Sequence, residues 1–147
     1  MGEEKLKHIT ILLVEDNEDD IVIIKRVFKN VNITNEIRIA RSGREALDFI
    51  YHRDKYSEEE SQPPGMILLD ISMPGMNGFE VLEELKADPK TKKIPVVMLT
   101  SSGREEDIVK SYEYGACSYI TKPLGFDEFV NVIERFEIYW SLVSRVP

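Results

Sequence analysis

Residues 11–20 read ILLVEDNEDD: four aliphatic residues, then Glu15, Asp16, Glu18, Asp19 and Asp20 within six positions. A short apolar run rich in Ile, Leu and Val reads as a fully buried parallel strand, and whatever follows it lies at the strand's C-terminal end. The same pattern recurs three times. MILLD ends on Asp70, VVMLT on Thr100 and SYITKP on Lys122-Pro123. In an open α/β sheet the C-terminal ends of the strands form the ligand crevice. Three carboxylates, a hydroxyl and an ammonium should therefore meet in one pocket, a set suited to a divalent cation and a phosphoryl group.

Between these runs the apolar period changes from strand-like to helix-like. Ile21, Ile24, Val27, Phe28 and Val31 recur at three-and-four spacing after the first strand, which is expected over His8 to Val14. EIRIA reads as a second strand, and Ala46, Leu47 and Ile50 mark a helix over Gly43 to Tyr51. Phe79, Leu82 and Leu85 mark another, ending near Asp88-Pro89. Strand four is expected over Pro95 to Thr100 and strand five over Cys117 to Ile120. The helix between them, Arg104 to Tyr114, offers only Ile108, Val109 and Tyr112 as large apolar residues, so it should be loosely held. A last helix is expected from Phe126 to Ser144. This alternation predicts an α/β fold of five βα units, flavodoxin-like and doubly wound on a parallel sheet.

The chain has 147 residues, enough for one domain spanning 1–147. Its 19 basic and 27 acidic residues give a net charge of −8, which argues against a nucleic-acid footprint. No stretch has the length or hydropathy of a membrane span or a secretion signal, so a cytoplasmic location is expected. The single cysteine, Cys117, is read as a small buried hydrophobe. HRDKYSEEESQPPG, residues 52–65, is read as a surface loop.

With these residues in place the chain resembles the receiver domain of two-component response regulators, and its end and charged loop resemble the small stand-alone regulators associated with bacterial phytochromes. The resemblance rests on an acidic pair after strand one, Asp after strand three, Thr after strand four and Lys-Pro after strand five, at separations of 54, 30 and 22 positions. It implies a sheet of order 2-1-3-4-5 and a phosphoacceptor at Asp70, supplied by a sensor histidine kinase or phosphotransfer protein. It also implies Mg²⁺ held by Glu15, Asp16, Asp70 and the backbone carbonyl of Ser72. Thr100 and Lys122 would bind the phosphoryl group, and Tyr119 would be the switch aromatic. Ser72 and Ser102 would tune the lifetime of the acyl phosphate, and their small size is expected to leave water access to phosphorus. The protein is expected to act on its neighbours by protein contacts, including a downstream effector, with no output domain and no turnover activity.

Other chemistries fit less well. A calcium loop would need Gly at its sixth position and Glu at its twelfth, both missing after Asp16. An aspartate-nucleophile phosphatase would need a second Asp where Ser72 stands. A flavin binder would need Gly and hydroxyl residues where the acidic run lies. A phosphorylation-independent interaction module with the same fold is the rival from another class. Finally, the last helix is apolar nearly all round from Ile138 onward, so Tyr139, Trp140, Leu142 and Val143 are candidates for a homodimer interface.

Overall fold

The computed structural model describes residues 10–30, 35–60, 62–101, 104–122, 125, 127, 128 and 131. Five strands, β1 (Ile11–Val14), β2 (Ile37–Ala40), β3 (Met66–Asp70), β4 (Val96–Thr100) and β5 (Ser118–Thr121), form one sheet. All neighbours pair in parallel in the order β2-β1-β3-β4-β5. Four α-helices connect them among the described residues: α1 (Glu18–Asn30), α2 (Gly43–Ile50), α3 (Gly78–Ala87) and α4 (Glu105–Glu113). The order and the alternation are those expected of a flavodoxin-like doubly wound fold.

The three central strands are buried along their whole length, which is why their sequences carry no polar residue before their ends. Successive side chains point to opposite faces, so each strand feeds two cores. Leu12, Val14, Ile67, Leu69, Val96 and Met98 pack against α2 and α3, through Leu47, Phe79, Val81 and Leu82. Leu13, Leu68, Val97, Leu99 and Ile120 pack against α1 through Ile21, Ile24, Val27 and Phe28. The edge strands are less enclosed: β2 is half-buried over Ile37, Arg38 and Ile39, and β5 alternates.

That alternation corrects the reading of Cys117. On an edge strand only one face is covered; Ala116, Ser118 and Ile120 point inward and Cys117 is exposed. The loop after α2 also carries more structure than its composition suggests. A 3₁₀ turn, Asp54–Tyr56, brings Tyr56 edge-on to Phe49 at 5.4 Å between ring centroids. Tyr56 donates its hydroxyl to Glu45 at 3.1 Å, and Arg38 of β2 stacks on Phe49 while pairing with Glu59. The loop is thereby fastened over the β2 edge. Helix α4 is as thinly packed as its sequence suggests: only Ser111 is buried, and Val109 and Tyr112 are each 47% exposed.

Candidate functional site

Each polar group at the sheet's C-terminal end is placed by the strand before it. Register pairs Val14 with Leu69 and Asp70 with Leu99, so β1 and β3 end side by side and Thr100 follows one position on. Thr100 is in turn registered with Thr121, and the Lys122 amide donates to the Thr100 carbonyl at 2.7 Å. These pairings bring Lys122 to residues 107 positions away.

Glu15, Asp16 and Asp70 each offer a carboxylate oxygen within 4.8 Å of the others. Glu15 and Asp70 are buried, whereas Asp16 is exposed at the mouth. The Lys122 ammonium donates to Glu15 Oε1 at 2.9 Å and to Asp20 Oδ2 at 3.0 Å. It also lies 3.3 Å from Asp70 Oδ1, near enough for an ion pair. The angles there do not make a hydrogen bond, so Asp70 Oδ1 is buried with no hydrogen-bond partner among the described residues. A buried carboxylate oxygen without a donor is costly unless a cation or another donor meets it.

The charges are unbalanced in the same sense. Glu15, Asp16, Asp20 and Asp70 face one ammonium. Burial pushes the Glu15 carboxyl up to about 7; the hydrogen bond from Lys122 opposes this and the charge of Asp70 adds to it. Burial alone would lower the Lys122 ammonium, but its bonds to Glu15 and Asp20 and the charge of Asp70 hold it above the ordinary lysine range. A divalent cation fits this donor set. Hard oxygens suit it, and it would both satisfy Asp70 Oδ1 and offset the excess negative charge.

The floor of the pocket is set from the other side by α3. Asn77 caps this helix, and the Gly78 amide donates to the Ile71 carbonyl at 2.9 Å. A β-carbon at Gly78 would run into the Asp70 carbonyl oxygen and lie 2.8 Å from the Ile71 α-carbon. Only glycine lets the helix start this close to the strand end. Before it, Gly75 adopts φ +78° in the loop that carries exposed Ser72.

The predicted residues Glu15, Asp16, Asp70, Thr100 and Lys122 thus gather at one end of the sheet. Tyr119 lies apart from them on β5, half-buried, with its ring edge-on to Tyr112 of α4 at 5.9 Å. Ser102 and the candidate interface residues Tyr139, Trp140, Leu142 and Val143 lie outside the described residues. Asp20 was not singled out by sequence reading. Its signal is weak: one acid among five, whose partner Lys122 is 102 positions away.

A doubly wound sheet with an acidic, lysine-bearing pocket at its C-terminal edge defines a class, the phosphoacceptor signalling modules. The chain belongs to the response regulator receiver domain family, whose model matches residues 11–134. It is 37% identical to the response regulator Rcp1 of Synechocystis over 147 residues, covering all of this chain and 99% of that one. Among solved structures it resembles the bacteriophytochrome response regulator RtBRR at TM-score 0.81 and 39% identity, covering 87% of this chain and 77% of that one. The phosphorylated cyanobacterial phytochrome response regulator RcpA matches at TM-score 0.75 and 37% identity, over 90% of this chain and 94% of the other. A structure of Rcp1 is of its Mn²⁺-bound form, at TM-score 0.73 and 38% identity over 90% and 94% of the two chains. The chain is a phosphoacceptor response regulator. No described helix is long and apolar enough to cross a membrane.

Proposed function

We propose that Asp70 accepts the phosphoryl group, from the phosphohistidine of a sensor histidine kinase or phosphotransfer protein. The observation that carries this is Asp70 Oδ1, buried, without a hydrogen-bond partner among the described residues and 3.3 Å from an ammonium. An Asp70 oxygen would attack phosphorus as the bond from phosphorus to the histidine nitrogen breaks; the nitrogen takes the electron pair, and with the other ring nitrogen protonated the donor leaves as neutral imidazole. The ammonium of Lys122 offsets charge on the phosphoryl oxygens, which is where such transfers need it. Asp16 and Asp70, with Glu15 chiefly through water and the Ser72 carbonyl, would hold Mg²⁺. That ion supplies neutralisation of the phosphoryl oxygens when bound. The acidic donors support this choice, as does the Mn²⁺-bound form of the Synechocystis relative.

Once Asp70 carries the phosphoryl group, Thr100 would donate its hydroxyl to one oxygen and Lys122 its ammonium to another. The weakly packed α4 would then shift with Tyr119, remodelling the β4–α4–β5 surface. This surface would meet an effector in the cytoplasm, and residues 1–147 would act as one domain. Ser72 and Ser102 would leave the acyl phosphate open to water. A homodimer through Tyr139, Trp140, Leu142 and Val143 is carried by sequence pattern alone, and sedimentation of a monomer across micromolar concentrations would sink it. Incubation with Mg²⁺ and acetyl phosphate should give acid-labile phosphate, and Asp70→Asn should abolish it. No labelling of the wild type would favour the phosphorylation-independent module instead.

A further inference from the structure

Asp20 stands at the third position of its helix, α1, but turns away from the helix start. Asn17 is the cap: its side chain accepts from the Asp20 amide at 3.0 Å. A Glu or Gln at this position ordinarily reaches back to the amide of the cap residue, closing a capping box, and Asp20 is one methylene shorter. Here Glu15 Oε2 takes that amide at 3.3 Å, together with the Asp16 amide at 3.1 Å. Asp20 is released, and its carboxylate holds Lys122 at 3.0 Å in a position only one-quarter exposed. The ammonium thus has its hydrogen bonds on Glu15 and Asp20 and none on Asp70.

We propose that Asp20 is a positioning residue that keeps the Lys122 ammonium out of hydrogen-bond alignment with the acceptor in the unphosphorylated protein. The inference rests on the reading of Asp70 as acceptor. Glu15 and Asp20 hold two of the three Lys122 donors, and the third is not aligned on Asp70 Oδ1, so meeting a phosphoryl oxygen there requires the ammonium to turn, which strains one of the two bonds it has. The bond to Asp20, at the mouth of the pocket, is the one given up, because Glu15 is wholly buried and would be left unsatisfied. Asp20 makes its contact chiefly in the state without phosphate, so it biases the equilibrium toward that state by its difference in affinity.

Asp19→Asn is the control. It removes the same charge from the same turn, and Asp19 is exposed. Titration with beryllofluoride, a tetrahedral stand-in for the phosphoryl group, is followed by calorimetry at saturating Mg²⁺ for wild type, Asp19→Asn and Asp20→Asn. Asp20→Asn should bind about five-fold more tightly than Asp19→Asn, the scale of one charge-assisted hydrogen bond at a partly exposed position. The ¹⁵N resonance of the Lys122 ammonium in the free protein should move in Asp20→Asn and stay in Asp19→Asn. Equal affinities in the two variants, or an unmoved Lys122 resonance, overturns the positioning role while leaving the acceptor site intact. Failure of the wild type itself to bind beryllofluoride overturns the acceptor reading and the inference with it.

Discussion

Helices α1 and α3 start with the same device, an Asn cap followed three residues later by an acid, and they use it differently. At α3 the box closes: the Glu80 amide donates to Asn77 Oδ1 at 3.0 Å and the Asn77 amide to Glu80 Oε1 at 3.3 Å. At α1 the first bond forms at the same 3.0 Å, but the second goes to Glu15 and the freed Asp20 turns to Lys122. Both helix starts bear on the pocket, α1 through the Asp20 side chain on Lys122 and α3 through backbone packed against Asp70. A helix start that satisfies itself can be a rigid support. One that borrows a neighbouring carboxylate can lend its own acid to a site.

The comparison is broken most severely at Gly78. If α3 serves as the rigid floor, Gly78→Ala forces a methyl group against the Asp70 carbonyl and the Ile71 backbone, neither of which can yield cheaply. A loss of about 2 kcal/mol is expected, the usual cost of overpacking, read as a lower midpoint in urea with an unchanged slope. A neutral Gly78→Ala would show that α3 is free to withdraw and is no fixed support.

Metal binding sharpens the other half. At a tenfold excess over its dissociation constant, Mg²⁺ should add about 1.4 kcal/mol to wild-type stability. That corresponds to a rise of roughly 4 °C in melting temperature for a domain of this size. Asp16→Asn should lose most of that rise, whereas Glu80→Gln should keep it. An equal rise in all three proteins would place the ion elsewhere.

Much of this pocket could be read in advance because each key residue closes a buried strand, where a polar group stands out against Ile, Leu and Val. Asp16, Asp70, Thr100 and Lys122 needed only the strand pattern and the rule that parallel strands end together. The edges were harder. Cys117 looked like a core residue because nothing in its type distinguishes the covered from the open face of an edge strand. Asp20 was hidden for a different reason: its partner is set by the β4–β5 pairing, and nothing in its local run of acids marks it out from Glu18 or Asp19. The fastening of Arg38, Tyr56 and Glu59 over the β2 edge depends likewise on side chains from three elements whose meeting no local period announces.

The smallest expected effect tests the two helix starts directly. Glu80→Gln keeps a group able to accept from the Asn77 amide but removes a negative charge from the first turn of α3, where the helix dipole favours it. It should cost about 0.5 kcal/mol. Asp20→Asn removes the same favourable charge from α1 and a bond to Lys122, but it also relieves repulsion from Glu15, Asp16 and Asp70. These opposing contributions should leave the metal-free protein within about 0.5 kcal/mol of wild type, as for most changes at partly exposed positions. Raising salt then separates the two. Screening weakens both the dipole interaction and the carboxylate repulsion, so Glu80→Gln should approach wild type while Asp20→Asn falls below it as its relief of repulsion is lost. Urea melts at low and at molar salt measure this. Parallel shifts in the two variants would mean that Asp20 is an ordinary helix-start acid.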